Sequence, residues 1–500
     1  MKTLCGLLLL CLFSTASAQK FTVSVSEEMK HEGEVPLKVG EEYISFAADM
    51  KMQFGFTFKL SKVKFAVTLS KYNSRLQLVK ETKLSNGEKA YGPFKPMFKR
   101  INNKVYLFYY QPDEEDNHIK LLASEIDLSD LSLKAPDELI TIEQKNIGLQ
   151  QVMDLMSLNK MEFRLSPDGS KLLTLWSSGI NNRFFFSVLN SNLKTIRRGD
   201  ETIKGENSIA IRNACLDNAG NVIVSYQAGK HARILVNGPD AKRTEQEVRL
   251  GEGSPYEVFV WAPANEGSSI RIAGSYKEGS DWLAGVFSQT MNATNFQLGK
   301  PVKTLFPTSL IEQFDNDGWA NKKPKKYGLA QISLQPFQLA DGSIDLIGEF
   351  RRTEMGMRTS FALAGGILNI HFKEEGVLCS RIPKARVSAG STIGDSYSVF
   401  PLGNKMAIFY NDHEANLKQD IGTSPKRSDN YKDDVLVAAT ITDDGTVKRE
   451  ILIDERREDF LPVAEQLQYL SSSSLLVPIR QIKGFGKVAE RFKWGLIDIN

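Results

Sequence analysis

The chain has 500 residues, 63 Lys plus Arg against 60 Asp plus Glu, and a formal net charge of +3. A balance this close to neutral gives no general drive toward nucleic acid or an acidic membrane surface, and neither is expected as a partner. The length exceeds one ordinary domain, although large β architectures reach it as a single unit.

Residues 1–18 read as a signal peptide. Lys2 supplies the positive n-region, Leu4 to Phe13 an apolar h-region, and Ala16-Ser-Ala18 the small-residue cleavage site before Gln19. The apolar run is too short for an ordinary transmembrane helix, and no further spanning stretch is expected. The protein is therefore expected to be exported, to a periplasm or the extracellular space. Cys5 and Cys11 lie in this segment, which leaves Cys215 and Cys379, each in an apolar strand context that favours a buried free thiol over a disulfide.

The region from Tyr43 to Leu84 is rich in strand signals. From there on, a hairpin unit recurs: an apolar strand, a tight turn, and a second apolar strand. It occupies Met97–Tyr110, turning at Asn102-Asn103-Lys104, and then Phe163–Trp176, turning at Pro167-Asp168-Gly169. Further copies span Ala214–Tyr226, Phe259–Tyr276, Ile332–Phe350, Ser398–Tyr410 and Gln466–Arg480. A second strand pair follows several of them. Arg183–Leu189 and Val435–Ile441 read as third strands, and the latter turns through Asp443-Asp-Gly445 into a fourth strand over 446–453. Ile140–Leu155 carries a helical period and is expected to form one short helix between units.

A lone hairpin cannot bury its apolar face, whereas a ring of them can. The expectation is an all-β protein, a β-propeller of about seven four-stranded blades over residues 19–500, with tandem β-sandwiches as the alternative architecture. The last unit ends on Phe492–Ile499, which reads as a third strand, so N-terminal strands are expected to supply its outer strand and close the ring. The count becomes eight if Glu41–Leu84 forms a complete blade.

The stretch Phe163-Arg-Leu-Ser-Pro-Asp-Gly-Ser-Lys-Leu-Leu173 resembles the repeat of periplasmic propellers of the TolB type, and is similar to that of the propeller domains of prolyl-oligopeptidase-like peptidases. In those families the Pro-Asp-Gly turn closes the inner hairpin of a blade. The resemblance covers about a dozen residues. It implies a propeller and no particular ligand, and the hydrolase domain of the peptidases has no counterpart motif here.

Motifs of chemistry are sparse. No Gly-x-Ser-x-Gly elbow occurs, since Gly390-Ser-Thr-Ile-Gly394 has its serine one place early. Lys483-Gly-Phe-Gly-Lys487 lacks the rest of a phosphate loop and reads as a turn. Asp315-Asn-Asp-Gly318 lacks calcium-loop carboxylates at its ends, and zinc spacings are missing. No metal and no cofactor are expected. Lys322-Lys-Pro-Lys-Lys326 reads as a solvated basic loop, and Asn292-Ala-Thr294 is a glycosylation sequon.

In a propeller, the loops joining the second strand to the third open on one face together with the links between blades. Loops on a rigid scaffold are where function sits. These loops or their edges hold His118, Arg183, His231, Trp282, Arg351, Arg352, Asp412 and His413, with Asp113 to Asp116 beside them. They are the candidate ligand-binding residues; no catalytic set is identified. The expected function is a non-enzymatic scaffold that binds a protein or a cell-envelope polymer such as a glycan. The alternative is a glycan hydrolase or lyase with paired acids on the central axis.

Overall fold

A computed structural model describes residues 21–499 apart from 27–35, 55–59, 86–93, 114–117, 144–160, 204–208, 263–268, 322–327, 356–359, 390–395, 427–432, 455–458 and several shorter breaks. Its sheets form eight separate antiparallel units in chain order. Blade 1 spans 37–85, blade 2 94–143, blade 3 161–202, blade 4 209–247, blade 5 254–305, blade 6 334–382 and blade 7 397–453. Blade 8 combines 460–499 with the N-terminal strand Phe21–Val25. We label the strands of each blade A to D outward from the axis. The D–A links and B–C loops make the upper face, and the A–B and C–D turns the lower.

Blade 3 shows how the sequence builds a unit. Strands Met161–Leu165 and Lys171–Ser178 are joined by the Ser-Pro-Asp-Gly turn, where Gly169 takes the left-handed φ of +69°. Asp168 accepts from Ser166 Oγ at 2.6 Å and from the Ser170 amide at 3.0 Å, and these bonds hold its carboxyl down at about 2. Strand C, Arg183–Asn190, is buried along its length, while strand D, Thr195–Thr202, is largely exposed, as an outer edge should be.

Apolar side chains on the two faces of every blade meet those of its neighbours. Eight clusters result, one in each seam, so the ring has no open side. Trp176 and Phe185 stack at 4.8 Å in the seam of blades 2 and 3, and Phe46 and Phe98 stack at 3.9 Å between blades 1 and 2. Tyr43 and Tyr72 of blade 1 pack on Phe492 and Trp494 of blade 8, which closes the circle. Each fully buried side chain of this size contributes about 1.5–3 kcal/mol. Polar clasps set the register between blades. Asn213 donates to Val260 O at 2.8 Å and accepts from Val260 N at 2.9 Å, and Asn411 holds Pro462 O and Ala464 N in the same manner.

The blade count is eight because Leu37–Val39 and Glu42–Phe54 form a hairpin at Gly40, with two further strands behind it. The outer strand of blade 8 comes from Phe21–Val25, ahead of the strand-rich region. Ile140–Glu143 continues an outer strand instead of starting a helix, and Ile140 fills the seam to blade 3 beside Leu139; the rest of that expected helix lies outside the described residues. No helix among the described residues is long and apolar enough to cross a membrane.

Candidate functional site

Seven of the eight candidate residues fall in strands, toward their upper ends, and Trp282 in a loop, spread over blades 2 to 7. His118 begins strand C of blade 2, opposite Asp113 and Glu143. Arg183 forks onto Asp200 of the neighbouring strand, with Nε 2.6 Å from Oδ1, and lies 4.6 Å over the Phe185 ring. His231 Nδ1 sits 2.8 Å from Glu247, whose carboxyl is pulled down by Arg249 and by this histidine. Trp282 is half-buried in the B–C loop of blade 5. Arg351 and Arg352 lie inside a long strand B, Ile344–Met355, and not in the loop after Phe350. Arg352 covers the Trp319 ring at 4.9 Å.

The residues of blades 6 and 7 are brought together, through groups that sequence reasoning missed. Arg351 Nε donates to Glu349 at 2.6 Å, and Glu349 also takes the ammonium of Lys384, which has no exposed side-chain surface. Arg386 pairs with Asp434 at 2.5 Å, both buried. Asp412 lies at the end of strand B and is 1% exposed. It accepts from Asn416 Nδ2 at 2.8 Å and the His413 amide at 2.9 Å. Burial pushes its carboxyl up to about 7; Asp434 adds to the shift and Lys384 opposes it. Asn416 also donates to Lys426 O and accepts from Lys426 N, which pins the long B–C loop over the cluster. His413 caps the short helix Glu414–Leu417 through Ala415 N and faces Lys426 Nζ at 2.9 Å. The arrangement fixes two blades and a loop. Its acids and bases are sealed against one another, so a polymer on the upper face does not reach Asp412, Glu349 or Lys384.

The seam between blades 5 and 6 is built differently at its two ends. Above, the chain leaving blade 5 forms the helix Thr308–Asp315, which buries Leu310, Ile311 and Phe314. Phe314 meets Phe350 at 4.7 Å, and Trp319 follows it into the core. Gly365 makes room: a Cβ there would stand 2.3 Å from Trp319 Nε1. Below, small and polar side chains replace large ones. Ala273, Ser288 and Thr290 of blade 5 face Ile344, Phe372 and Val377 of blade 6 across a cleft of about 500 Å³. That volume lies within the usual range of ligand pockets, about 300–1,000 Å³. Among the described residues, Arg271, Lys300 and Lys373 line it. Arg271 is anchored by a 2.7 Å bond to Gly342 O.

Other features carry less chemistry. Cys215 and Cys379 are separate free thiols; burial pushes the latter up to about 12, which makes it inert. Asn292 is exposed and its side chain accepts from Thr294 N at 2.8 Å in a tight turn. Lys322–Lys326 and the acids at 114–116 lie outside the described residues. Among the described residues no group of three or more His, Cys, Asp or Glu is placed to hold a metal ion.

No protein-family model and no curated protein matches the chain. Solved structures that resemble it include polysaccharide lyase Uly1, 11% identical with a TM-score of 0.39, over 80% of this chain and 89% of that one. An oligogalacturonate lyase in complex with manganese is 10% identical, TM-score 0.34, over 95% and 98%. Hydrazine synthase of Kuenenia stuttgartiensis is 14% identical, TM-score 0.33, over 65% and 77%. At these values the likenesses carry no argument about activity, and the propeller assignment rests on the sheets themselves.

Proposed function

We propose that this is an exported, non-enzymatic binding scaffold whose ligand sits in the cleft at the lower end of the seam between blades 5 and 6. Export rests on the signal-peptide pattern of residues 1–18. The observation that carries the binding site is the cleft itself: about 500 Å³, walled by strands of two blades, with cations and hydroxyls among its described lining residues. Such a lining can hold and orient a ligand through its hydroxyls, cations and apolar wall. The glycan hydrolase or lyase reading has its best acid in Asp412, whose raised pKa suits proton transfer, yet that side chain is buried beneath the upper face.

The test is thermal unfolding of the chain from Gln19 against glycans, peptides, metal ions and a chelator, with wild type beside Ser288→Trp, in which the indole fills the cleft. A ligand that binds the folded state raises the midpoint with concentration. The expected result is a shift in wild type that Ser288→Trp abolishes; Thr290→Trp serves where the first variant unfolds. A shift that survives in both variants, or release of new chain ends from a glycan, would overturn the reading.

A further inference from the structure

We infer that the lower end of the seam between blades 6 and 7 holds a small monovalent cation, Na⁺ or K⁺, on a set of oxygens centred on Asp345 and Asn369; this site is separate from the cleft proposed above. Strand B of blade 6, Ile344–Met355, pairs Asp345 with His371, and strand C, Ser360–Lys373, pairs Asn369 with Ser380 of strand D. His371 and Asn369 are two residues apart on strand C, so all four side chains stand on one face of the blade, with directly opposed Cβ atoms about 4.5–5.5 Å apart. That face meets Thr442 and Gly445 at the turn between strands C and D of blade 7. Between the two blades lies a cavity of about 20 Å³. It has room for one water-sized guest, which needs about 10–15 Å³.

The groups around this cavity are short of a donor. Asn369 is 1% exposed, and its amide oxygen has no hydrogen-bond partner. Asp345 is 2% exposed; one of its oxygens sits 2.5 Å from His371 Nδ1, and among the described residues nothing donates to the other. Burial pushes this carboxyl up and Asp341 adds to the shift, while the hydrogen bond and charge of His371 oppose it. The two hydroxyls have committed their protons elsewhere. Ser380 Oγ donates to Gly445 O at 2.8 Å, and Thr442 Oγ1 donates to Asp444 Oδ1 at 2.5 Å, so each has only lone pairs left to offer. A carboxylate, an amide oxygen and two hydroxyl oxygens suit a hard cation and not a soft transition metal. A single carboxylate suits a monovalent ion better than calcium, which draws on several. A water molecule has two protons to give and no charge, so it leaves the buried carboxylate uncompensated whenever His371 is neutral. Lys405 also lines the cavity, and among the described residues it makes no ion pair with Asp345.

Thermal unfolding of the full chain tests this in sodium, potassium and choline chloride at one ionic strength, at about pH 8, where a histidine is ordinarily neutral. The expected result is a midpoint about 2 °C or more higher in sodium or potassium than in choline, by a difference that saturates with concentration. Asp345→Asn and Asn369→Leu are each expected to abolish that difference, and Asn369→Leu serves where Asp345→Asn does not fold. Ser380→Ala, the mildest change, is expected to raise the half-saturating salt several-fold, and Lys405→Ala to keep the response. Equal wild-type midpoints in all three salts would mean that the cavity holds a water molecule only, and would overturn the inference. So would a difference that survives in both Asp345→Asn and Asn369→Leu, which places the ion elsewhere. A difference that appears only in Lys405→Ala would make Lys405 the counter-charge and overturn it as well. None of these outcomes bears on the cleft between blades 5 and 6, whose ligand is read with Ser288→Trp.

Discussion

The two ends of the seam between blades 5 and 6 are made from the same strands and reach opposite solutions. At the upper end a helix and Trp319 from the interblade link fill the space, and Gly365 lets the indole in. At the lower end the connection between Met291 and Val302 brings Lys300 to the cleft and does not fill it, and Ala273 and Ser288 line the gap that is left. What the difference teaches is that neither loops nor strands alone make a recess in a propeller. A recess forms where the widening gap between two radial sheets is left unfilled by the connections.

This contrast can be broken by substitution. The largest effect is expected at the plug: Phe314→Ala removes a side chain with no exposure and should cost about 3–5 kcal/mol in urea unfolding. A loss under about 1 kcal/mol would mean that the plug is not what closes the upper end. The neighbouring upper seam, between blades 6 and 7, should respond to pH. Asp412 has a folded-state value of about 7 against an ordinary 3.8. Its neutral form is favoured by folding, so its contribution is complete below 3.8 and is lost as pH rises through 7. Asp412→Asn should remove this dependence and gain on the order of a few kcal/mol over wild type at alkaline pH. Parallel stability profiles for the two proteins across that window would count against the buried cluster as described.

Gly365→Ala is expected to cost about 1–3 kcal/mol by pushing Trp319 out, seen as a shift in tryptophan emission along with the midpoint. The smallest effect belongs to the lower end. Val302→Ala changes an exposed side chain and should stay within about 0.5 kcal/mol, while weakening a ligand held in the cleft that Val302 lines. A larger stability loss would make Val302 part of the core and would sharpen the line between the two ends.

The hairpins were legible in the sequence because turn chemistry is local. Pro167-Asp168-Gly169, Asp341-Gly342 and Gly403-Asn404 each sit where the structure turns from strand A to strand B. Blade 1 was harder to read, since its inner strand is only Leu37–Val39 and the single cue is Gly40, with φ +62°. The helix left a faint trace: Leu310, Ile311 and Phe314 share one face just after Pro307. The ionic cluster left none. Glu349, Lys384, Asp412 and Asp434 are far apart in the chain, and only the register of two sheets makes them neighbours. The cleft is equally silent in sequence, because it arises from what Ala273 and Ser288 lack.

The pairing of Phe21–Val25 with Gly495–Ile499 has a consequence for how the molecule is made. Phe21–Val25 meets its partner only after the seven blades between them have been made. Contacts of such long separation form late, and closing so large a loop is entropically costly. Until then blades 1 and 8 each keep an unprotected flank. A chain lacking Phe21–Val25 leaves the edge of Gly495–Ile499 open, ready to pair with another chain. The eighth blade thus depends on two strands made far apart in time, and a chain lacking either should be more prone to aggregate or be degraded.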